Sequence, residues 1–201
     1  MSPPLWLLDV DGVLNAATGS PDRSVWDDWQ RGEAVAAGRV WPIWFSPTVC
    51  RRITRLHEEG SVEVRWLTTW EDDANAGLRE LLGLPRLPVA GRAREVHAGN
   101  PGPHGFVGRT PPRPAPGWWK LTVARRVADP DPMRPLVWTD DDLRYEQEAL
   151  AWAEGRPGPR LLVAPQTSVG LTPPQLDAIE DFCRQPTPGD SAGGSPPGLI
   201  A

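Results

Sequence analysis

Four short stretches of the sequence place carboxylate, hydroxyl or ammonium groups beside apolar runs. In chain order, these stretches are "PLWLLDVDG", "VEVRWLTT", "WWKL" and "RPLVWTDDD". Their polar members are Asp9, Asp11, Thr68, Thr69, Lys120, Asp140, Asp141 and Asp142. Carboxylates gathered within a few ångströms repel one another, so a site that keeps three or more of them ionised requires a cation. Oxygen ligands of this kind suit Mg²⁺, which readily takes phosphate oxygens as further ligands.

These residue types are the ones that phosphoryl transfer needs. One carboxylate can act as a nucleophile and form an aspartyl-phosphate, while a second carboxyl protonates the leaving alcohol and later activates water. A hydroxyl and a lysine can hold the phosphate oxygens as their charge redistributes. The residues therefore predict a magnesium-dependent phosphoryl-transfer site, provided that the fold brings them together.

The apolar runs that precede the polar groups are typical of buried strands. Five are predicted, and they are "PLWLLDV", "VEVRWLTT", "RLPVAG", "RPLVWTDDD" and "RLLVAP". Helices are predicted between and after them, beginning at Ser46 and Pro47, at Thr69, near Trp118, and at Thr172 and Pro173. Strands that alternate with helices indicate a parallel sheet covered on both faces, and such sheets bind ligands beyond the carboxyl ends of their strands.

The segments between these elements differ in character. "WDDWQRGEAVAAGRVWPIWF" is predicted to form a β-hairpin. The Pro/Gly-rich stretch "GNPGPHGFVGRTPPRPAPG" fits no periodic template and is predicted to be a loop. We expect one catalytic domain over residues 1–184 and a flexible Pro/Gly/Ser-rich tail over residues 185–201.

Composition excludes several classes of protein. No apolar run approaches the roughly 20 residues of a membrane helix, and the N-terminal stretch lacks the features of a secretory signal. We therefore expect a cytoplasmic protein with no membrane partner. Cys50 and Cys183 lack metal-site spacing and are expected to be buried thiols. The net charge is −5, yet the segment Arg86–Arg126 carries eight basic residues and one acidic residue. Either a solvated face or a field that attracts an anionic substrate explains this asymmetry.

Taken in order, "DVDGVLN", "WLTT", "WWKL" and "VWTDDD" resemble the four motifs of the haloacid dehalogenase (HAD) superfamily in its phosphatase form. Together with "LGLPRLPV" and "GLTPPQL", they are similar to the HAD domain of Swiss-army-knife RNA repair proteins, up to Phe182. The resemblance implies a three-layer αβα Rossmann-like fold. It further implies a central parallel sheet of about five strands in the order 5-4-1-2-3, a β-hairpin flap and no full cap domain.

The resemblance also implies a role for each matching residue. Asp9 would be the nucleophile and Asp11 the general acid and base, while Thr68 and Lys120 would hold the phosphate. The implied ligands of Mg²⁺ are Asp9, Asp11 through its backbone carbonyl, Asp140 directly and Asp141 through a bound water. Two alternatives stay open, namely Thr69 in place of Thr68 and Asp142 in the role of Asp141.

An uncapped site favours a polymer end, or a substrate covered by a partner, over a small sugar phosphate. Arg109, Arg113 and Trp118 are candidates to bind a nucleotide by phosphate contact and stacking, and Thr69 is a further candidate. Trp119 is adjacent to Trp118, and the alternative is that one of these two tryptophans packs in the core. The leading hypothesis is a Mg²⁺-dependent phosphatase acting on a phosphate monoester, with a nucleotide or an RNA or DNA end favoured. A nucleic-acid end-binding repair module and a catalytically silent HAD-fold interaction protein are the alternatives. The oligomeric state is left open.

Overall fold

The computed structural model describes residues 2–98, 117–186 and 199–200. Its strands are β1 (Leu5–Leu8), β2 (Gln30–Ala36), β3 (Arg39–Phe45), β4 (Glu63–Trp66), β5 (Leu136–Thr139), β6 (Arg160–Val163) and β7 (Leu199–Ile200). Its helices are α1 (Pro47–Glu58), α2 (Arg79–Leu82), α3 (Ala93–Ala98), α4 (Trp119–Ala128), α5 (Gln147–Glu154) and α6 (Pro173–Arg184). A π-helical turn at Ala74–Leu78 precedes α2, and a 3-10 segment at Asp141–Tyr145 precedes α5.

The main sheet has the strand order β4-β1-β5-β6-β7, and all of its neighbouring strands run parallel. Residues of β1 alternate between two separate cores. Trp6 and Leu8 pack in a core that includes α1 and α6, whereas Leu5 and Leu7 pack in a core that includes α4 and α5. The sheet is therefore the middle layer of a three-layer α/β fold, as expected.

Four of the five predicted strands have the predicted neighbours, and the remaining stretch needs a correction. "RLPVAG" forms a single parallel bridge between Val89 and Trp66 rather than a strand. Its proline, Pro88, has no N–H group to donate. Pairing here is limited to two bonds, one from the Trp66 N–H to the Pro88 carbonyl and one from the Ala90 N–H to the Trp66 carbonyl. On the opposite edge, β7 adds a strand beside β6 that was not predicted. Most of the predicted tail, residues 187–198, lies outside the described residues.

The predicted helix α1 is confirmed with its cap, because the Ser46 hydroxyl accepts a hydrogen bond from the N–H of Val49. The predicted continuous helix after Thr69 is wrong. Thr69 is exposed, and Glu71 has a positive φ of 47°, so the chain turns before the π-helical segment begins. Helix α2 then ends at Gly83, as predicted, with a left-handed φ of 67°.

The predicted hairpin is confirmed by the antiparallel pairing of β2 and β3, hereafter the hairpin. Its turn residues, Ala37 and Gly38, have φ values of 50° and 71°, which is the left-handed geometry of a tight two-residue turn. Ile43 and Phe45 are buried against the body of the protein. Between residues 16 and 61, the chain holds this hairpin and α1 rather than a cap domain. None of the described helices is long and apolar enough to cross a bilayer.

Candidate active site

The predicted site residues lie where three neighbouring strands end. Asp9 follows β1 directly, Asp140 follows β5 directly, and Thr68 lies two residues beyond β4. The sheet pairing continues past the strands, because the Asp9 N–H donates to the Thr139 carbonyl at 3.1 Å. Lys120 lies in the first turn of α4. The carboxyl edge of the parallel sheet therefore assembles the groups that the sequence separates by more than 100 residues.

Lys120 is the centre of the cluster. Its Nζ donates to Asp9 Oδ2 at 2.6 Å and to Asp140 Oδ2 at 2.7 Å. Carboxylate oxygens of Asp9, Asp140 and Asp141 all lie within 4.8 Å of one another. The Thr167 hydroxyl fixes Asp141 by donating to its Oδ2 at 2.6 Å. Sequence reasoning missed Thr167, which has no feature in the sequence to distinguish it.

Burial controls the ionisation of this cluster. Removal from water raises the pKa of Asp9, although Lys120 opposes the change. Burial and the nearby Asp9 charge raise the pKa of Asp140 well above its ordinary value. Burial alone would lower the pKa of Lys120, but the two carboxylates outweigh it and raise that pKa. Burial also raises the pKa of Asp141. The three carboxyls are thus costly to keep ionised without more positive charge.

The geometry separates the two pairs of alternatives that the sequence left open. Thr68 is fully buried, and its hydroxyl is close enough to Asp9 to oppose the rise in the pKa of Asp9, whereas Thr69 is exposed. Asp141 belongs to the carboxylate cluster, whereas Asp142 is exposed and contacts the cluster only through its N–H, which donates to Asp140 Oδ1 at 3.1 Å. Of each pair, Thr68 and Asp141 are therefore the members that lie with the carboxylate cluster.

Asp11 lies outside the three-carboxylate cluster. Its Oδ1 accepts the side-chain amide N–H of Asn15 at 2.8 Å, and its Oδ2 accepts the indole N–H of Trp70 at 2.8 Å. We expected pleat alternation to direct Asp9 and Asp11 to the same side, but β1 ends at Leu8, so no regular strand continues to Asp11. Asn15 and Trp70 were not predicted as site residues, although Asn15 is the last residue of "DVDGVLN" and Trp70 directly follows "WLTT".

Gly12 permits the close approach of the first and fourth motifs. Its φ is +69°, and a Cβ built on it would lie 2.3 Å from both Cγ and Oδ2 of Asp141. Any side chain at this position would displace Asp141 from the cluster.

The structure describes two of the four predicted nucleotide-binding residues, Thr69 and Trp118. Trp118 is half-buried and stacks on Trp138, with ring centroids 5.1 Å apart and planes inclined by 9°. One face of its ring is therefore occupied by the core. Arg109 and Arg113 lie outside the described residues. Thr69 lines a groove beside Asp11, together with Trp41 and Trp70.

The carboxylate cluster fits a hard divalent cation. Its donors are all oxygens, and its three ionised carboxylates with one ammonium would leave a charge of two minus. Asp9, Asp140 and Asp141 are the residues that would hold such a cation here.

Comparison with known families agrees with this geometry. A family model described as the HAD domain in Swiss Army Knife RNA repair proteins matches residues 5–176. The chain belongs to this family. The match extends from β1 into α6 and includes every member of the HAD domain's carboxylate cluster. Neither the curated proteins nor the solved structures give a match to this HAD domain.

Proposed function

We propose that this HAD domain is a Mg²⁺-dependent phosphatase that hydrolyses a phosphate monoester through an aspartyl-phosphate on Asp9. The observation that carries the proposal is the buried Lys120 ammonium held between Asp9 and Asp140, at 2.6 and 2.7 Å. A buried cation between two carboxylates opposes the effect of burial, favours the ionised and nucleophilic form of Asp9, and can also contact a phosphate oxygen.

Asp9 is oriented from two sides. Its Oδ1 accepts the N–H of Val10 at 2.7 Å, and its Oδ2 accepts Lys120 Nζ. Thr68 supplies a buried hydroxyl beside it. When Mg²⁺ is bound by Asp9, Asp140 and Asp141, it supplies positive charge that offsets the carboxylates and the incoming phosphate.

The proton transfers fall to Asp11. As an Asp9 oxygen bonds to phosphorus, the bond from phosphorus to the leaving oxygen breaks, and Asp11 gives that oxygen a proton. Water then attacks the phosphorus of the aspartyl-phosphate and loses a proton to Asp11, which releases Asp9 and inorganic phosphate. Asp11 has the position for both steps, because Asn15 and Trp70 each hold one of its carboxylate oxygens and two grooves border it.

We further propose a nucleotide or a nucleic-acid end as the substrate, and the cytoplasm as the compartment. Two observations support this substrate class. The matching family is described from RNA repair proteins, and no cap domain covers the site from residue 16 to residue 61.

The test is phosphate release with Mg²⁺ and with a chelator in its place. The substrates are 3′- and 5′-phosphorylated oligonucleotides, mononucleotides and sugar phosphates. Asp9→Asn and Asp11→Asn are expected to abolish turnover, while the exposed neighbour Asp142→Asn retains it and serves as the matched control. Turnover that survives in Asp9→Asn would refute the mechanism. A salt-sensitive gel shift of oligonucleotides with no turnover on any substrate would identify an end-binding module instead.

A further inference from the structure

Asp11 separates two grooves that share one aromatic side chain. The smaller groove has a volume of about 260 Å³ and is lined by Trp41, Thr69 and Trp70 beside Asp11. The larger groove has a volume of about 460 Å³ and is lined by Trp41 and Trp44 on the hairpin. Among the grooves lined by described residues, these two border Asp11, and Trp41 lines both of them. We therefore place the leaving group that receives its proton from Asp11 beside Trp41.

The position of Trp41 in the hairpin is unusual for so large an apolar ring. Trp41 shares a face of β3 with Ile43 and Phe45, which are 0% and 3% exposed, yet Trp41 is 45% exposed. Its indole N–H donates to the Ala36 carbonyl at 3.3 Å, across the hairpin. The edge of the ring is therefore anchored, while much of its surface is left uncovered by the residues that the structure describes.

The charge of the grooves restricts what they can hold. Among the residues that the structure describes, neither groove has a lysine or arginine in its lining. A second phosphate placed within either groove would find no counter-charge in the described lining. Aromatic and small apolar side chains predominate instead, among them Ala36 and Pro42, and they favour an uncharged planar group.

We propose that Trp41 is the stacking platform for the base of the nucleotide that carries the scissile phosphate, and thereby determines specificity for base-bearing monoesters. The inference rests on the proposed function, because it places the leaving group by its contact with Asp11. Free mononucleotides and terminal nucleotides of a strand share this chemistry.

The test compares Trp41→Ala and Trp41→Phe with wild type on adenosine 5′-monophosphate and on ribose 5-phosphate, which lacks the base. Stacking of one base on an aromatic side chain corresponds to a loss of about 5- to 150-fold on removal. Trp41→Ala is expected to raise KM for the nucleotide by a factor in this range, with kcat little changed, and to leave ribose 5-phosphate hydrolysis unaltered. Trp41→Phe is expected to retain most of the wild-type KM.

Val40→Ala is the matched control, because Val40 is exposed at the neighbouring position on the opposite face of β3. An equal loss on both substrates, or no loss on the nucleotide, would overturn the role of Trp41. A 5′-phosphorylated oligonucleotide distinguishes the terminal nucleotide of a strand from a free mononucleotide as the substrate. If it is hydrolysed with the same dependence on Trp41, the terminal base of a strand stacks as the free nucleotide does.

Calorimetric titration of adenosine 5′-monophosphate into Asp9→Asn, with and without Trp41→Ala, keeps this inference separate from the proposed function. Weaker binding in the double variant supports stacking even if the wild type proves to have no phosphatase activity. Equal affinities in the two proteins overturn stacking even if phosphatase activity is present.

Discussion

Replacement of Lys120 by methionine removes the only positive charge in the described part of the carboxylate cluster. In the absence of divalent cations, we expect Lys120→Met to lower the free energy of unfolding by about 3–5 kcal/mol. Lys120 is 3% exposed, so water cannot replace its contacts with Asp9 and Asp140. The side chain of methionine fills similar space, which makes the lost charge the dominant change.

The magnitude follows from the two contacts. At distances of 2.6 and 2.7 Å and an effective dielectric constant of about 20, Coulomb's law gives about 6 kcal/mol of attraction for each. Most of this attraction is offset by the cost of removing the ammonium and the carboxylates from water. Lys120→Met removes the attraction but leaves Asp9 and Asp140 buried, so their desolvation cost is no longer offset.

The measurement is urea unfolding followed by tryptophan fluorescence, in a chelator and then in Mg²⁺. The difference from wild type is expected to shrink in Mg²⁺, because the ion supplies the missing charge to the folded state. It is also expected to shrink as the pH falls below neutrality, because the raised pKa values of Asp9 and Asp140 let these carboxyls bind protons in the folded state before they do so in the unfolded chain. Lys120→Arg, which keeps the charge, is the control. A loss under about 1 kcal/mol in chelator at neutral pH would refute the reasoning.

Three further substitutions test other contacts. Asp28 accepts hydrogen bonds from both the N–H and the hydroxyl of Thr48 in the first turn of α1, so Asp28→Ala is expected to reduce stability by about 2 kcal/mol in thermal or urea unfolding. The exposed neighbour Asp27 gives a control substitution with little effect. Gly12→Ala is expected to weaken Mg²⁺ binding about 10- to 100-fold by calorimetry, because its Cβ displaces Asp141; unchanged affinity would contradict that close approach. Two arginines of α1 and one of α6 hold the pKa of Glu180 below its ordinary value, against the effect of burial. Glu180→Gln should therefore cost about 2 kcal/mol near pH 7, and the cost should vanish as the pH falls through the lowered pKa; a cost that persists in acid would show that charge is not its source.

Apolar periodicity and helix-capping residues predicted the strands and helices whose backbone is determined by neighbouring residues in the sequence. Apolar runs located four strands, and cap residues such as Ser46 and Pro47 located the start of α1. The failures occurred where distant contacts decide the backbone. The indole of Trp70 reaches Asp11 across 59 positions, and the chain around it turns at Glu71 instead of beginning a helix at Thr69. No propensity of that segment indicates such a contact.

The site was predicted by residue type and order, but its internal arrangement was not. The spacing of the motifs indicated that Asp9, Lys120 and Asp140 would meet, and they do. The separate placement of Asp11 could not be inferred, because it depends on a turn at Gly12 and on donors from two other parts of the chain. The exposure of Trp41 could not be inferred either, because alternation along β3 places Trp41 on the same face as the buried Ile43.

The side chain of Asn15 connects the hairpin to the general acid. Its oxygen accepts the N–H of Trp44 on β3 at 2.9 Å, while its nitrogen donates to Asp11. One amide thus has a fixed sense of donor and acceptor, and a flip would lose both bonds at once. A movement of β3 is therefore expected to change the orientation of Asp11 through Asn15, beside the backbone bond from the Ala16 N–H to the Trp44 carbonyl. By thermodynamic reciprocity, a hairpin position that favours one orientation of Asp11 is itself favoured by that orientation to the same extent. A ligand that binds the groove and shifts β3 would then also shift the orientation of Asp11.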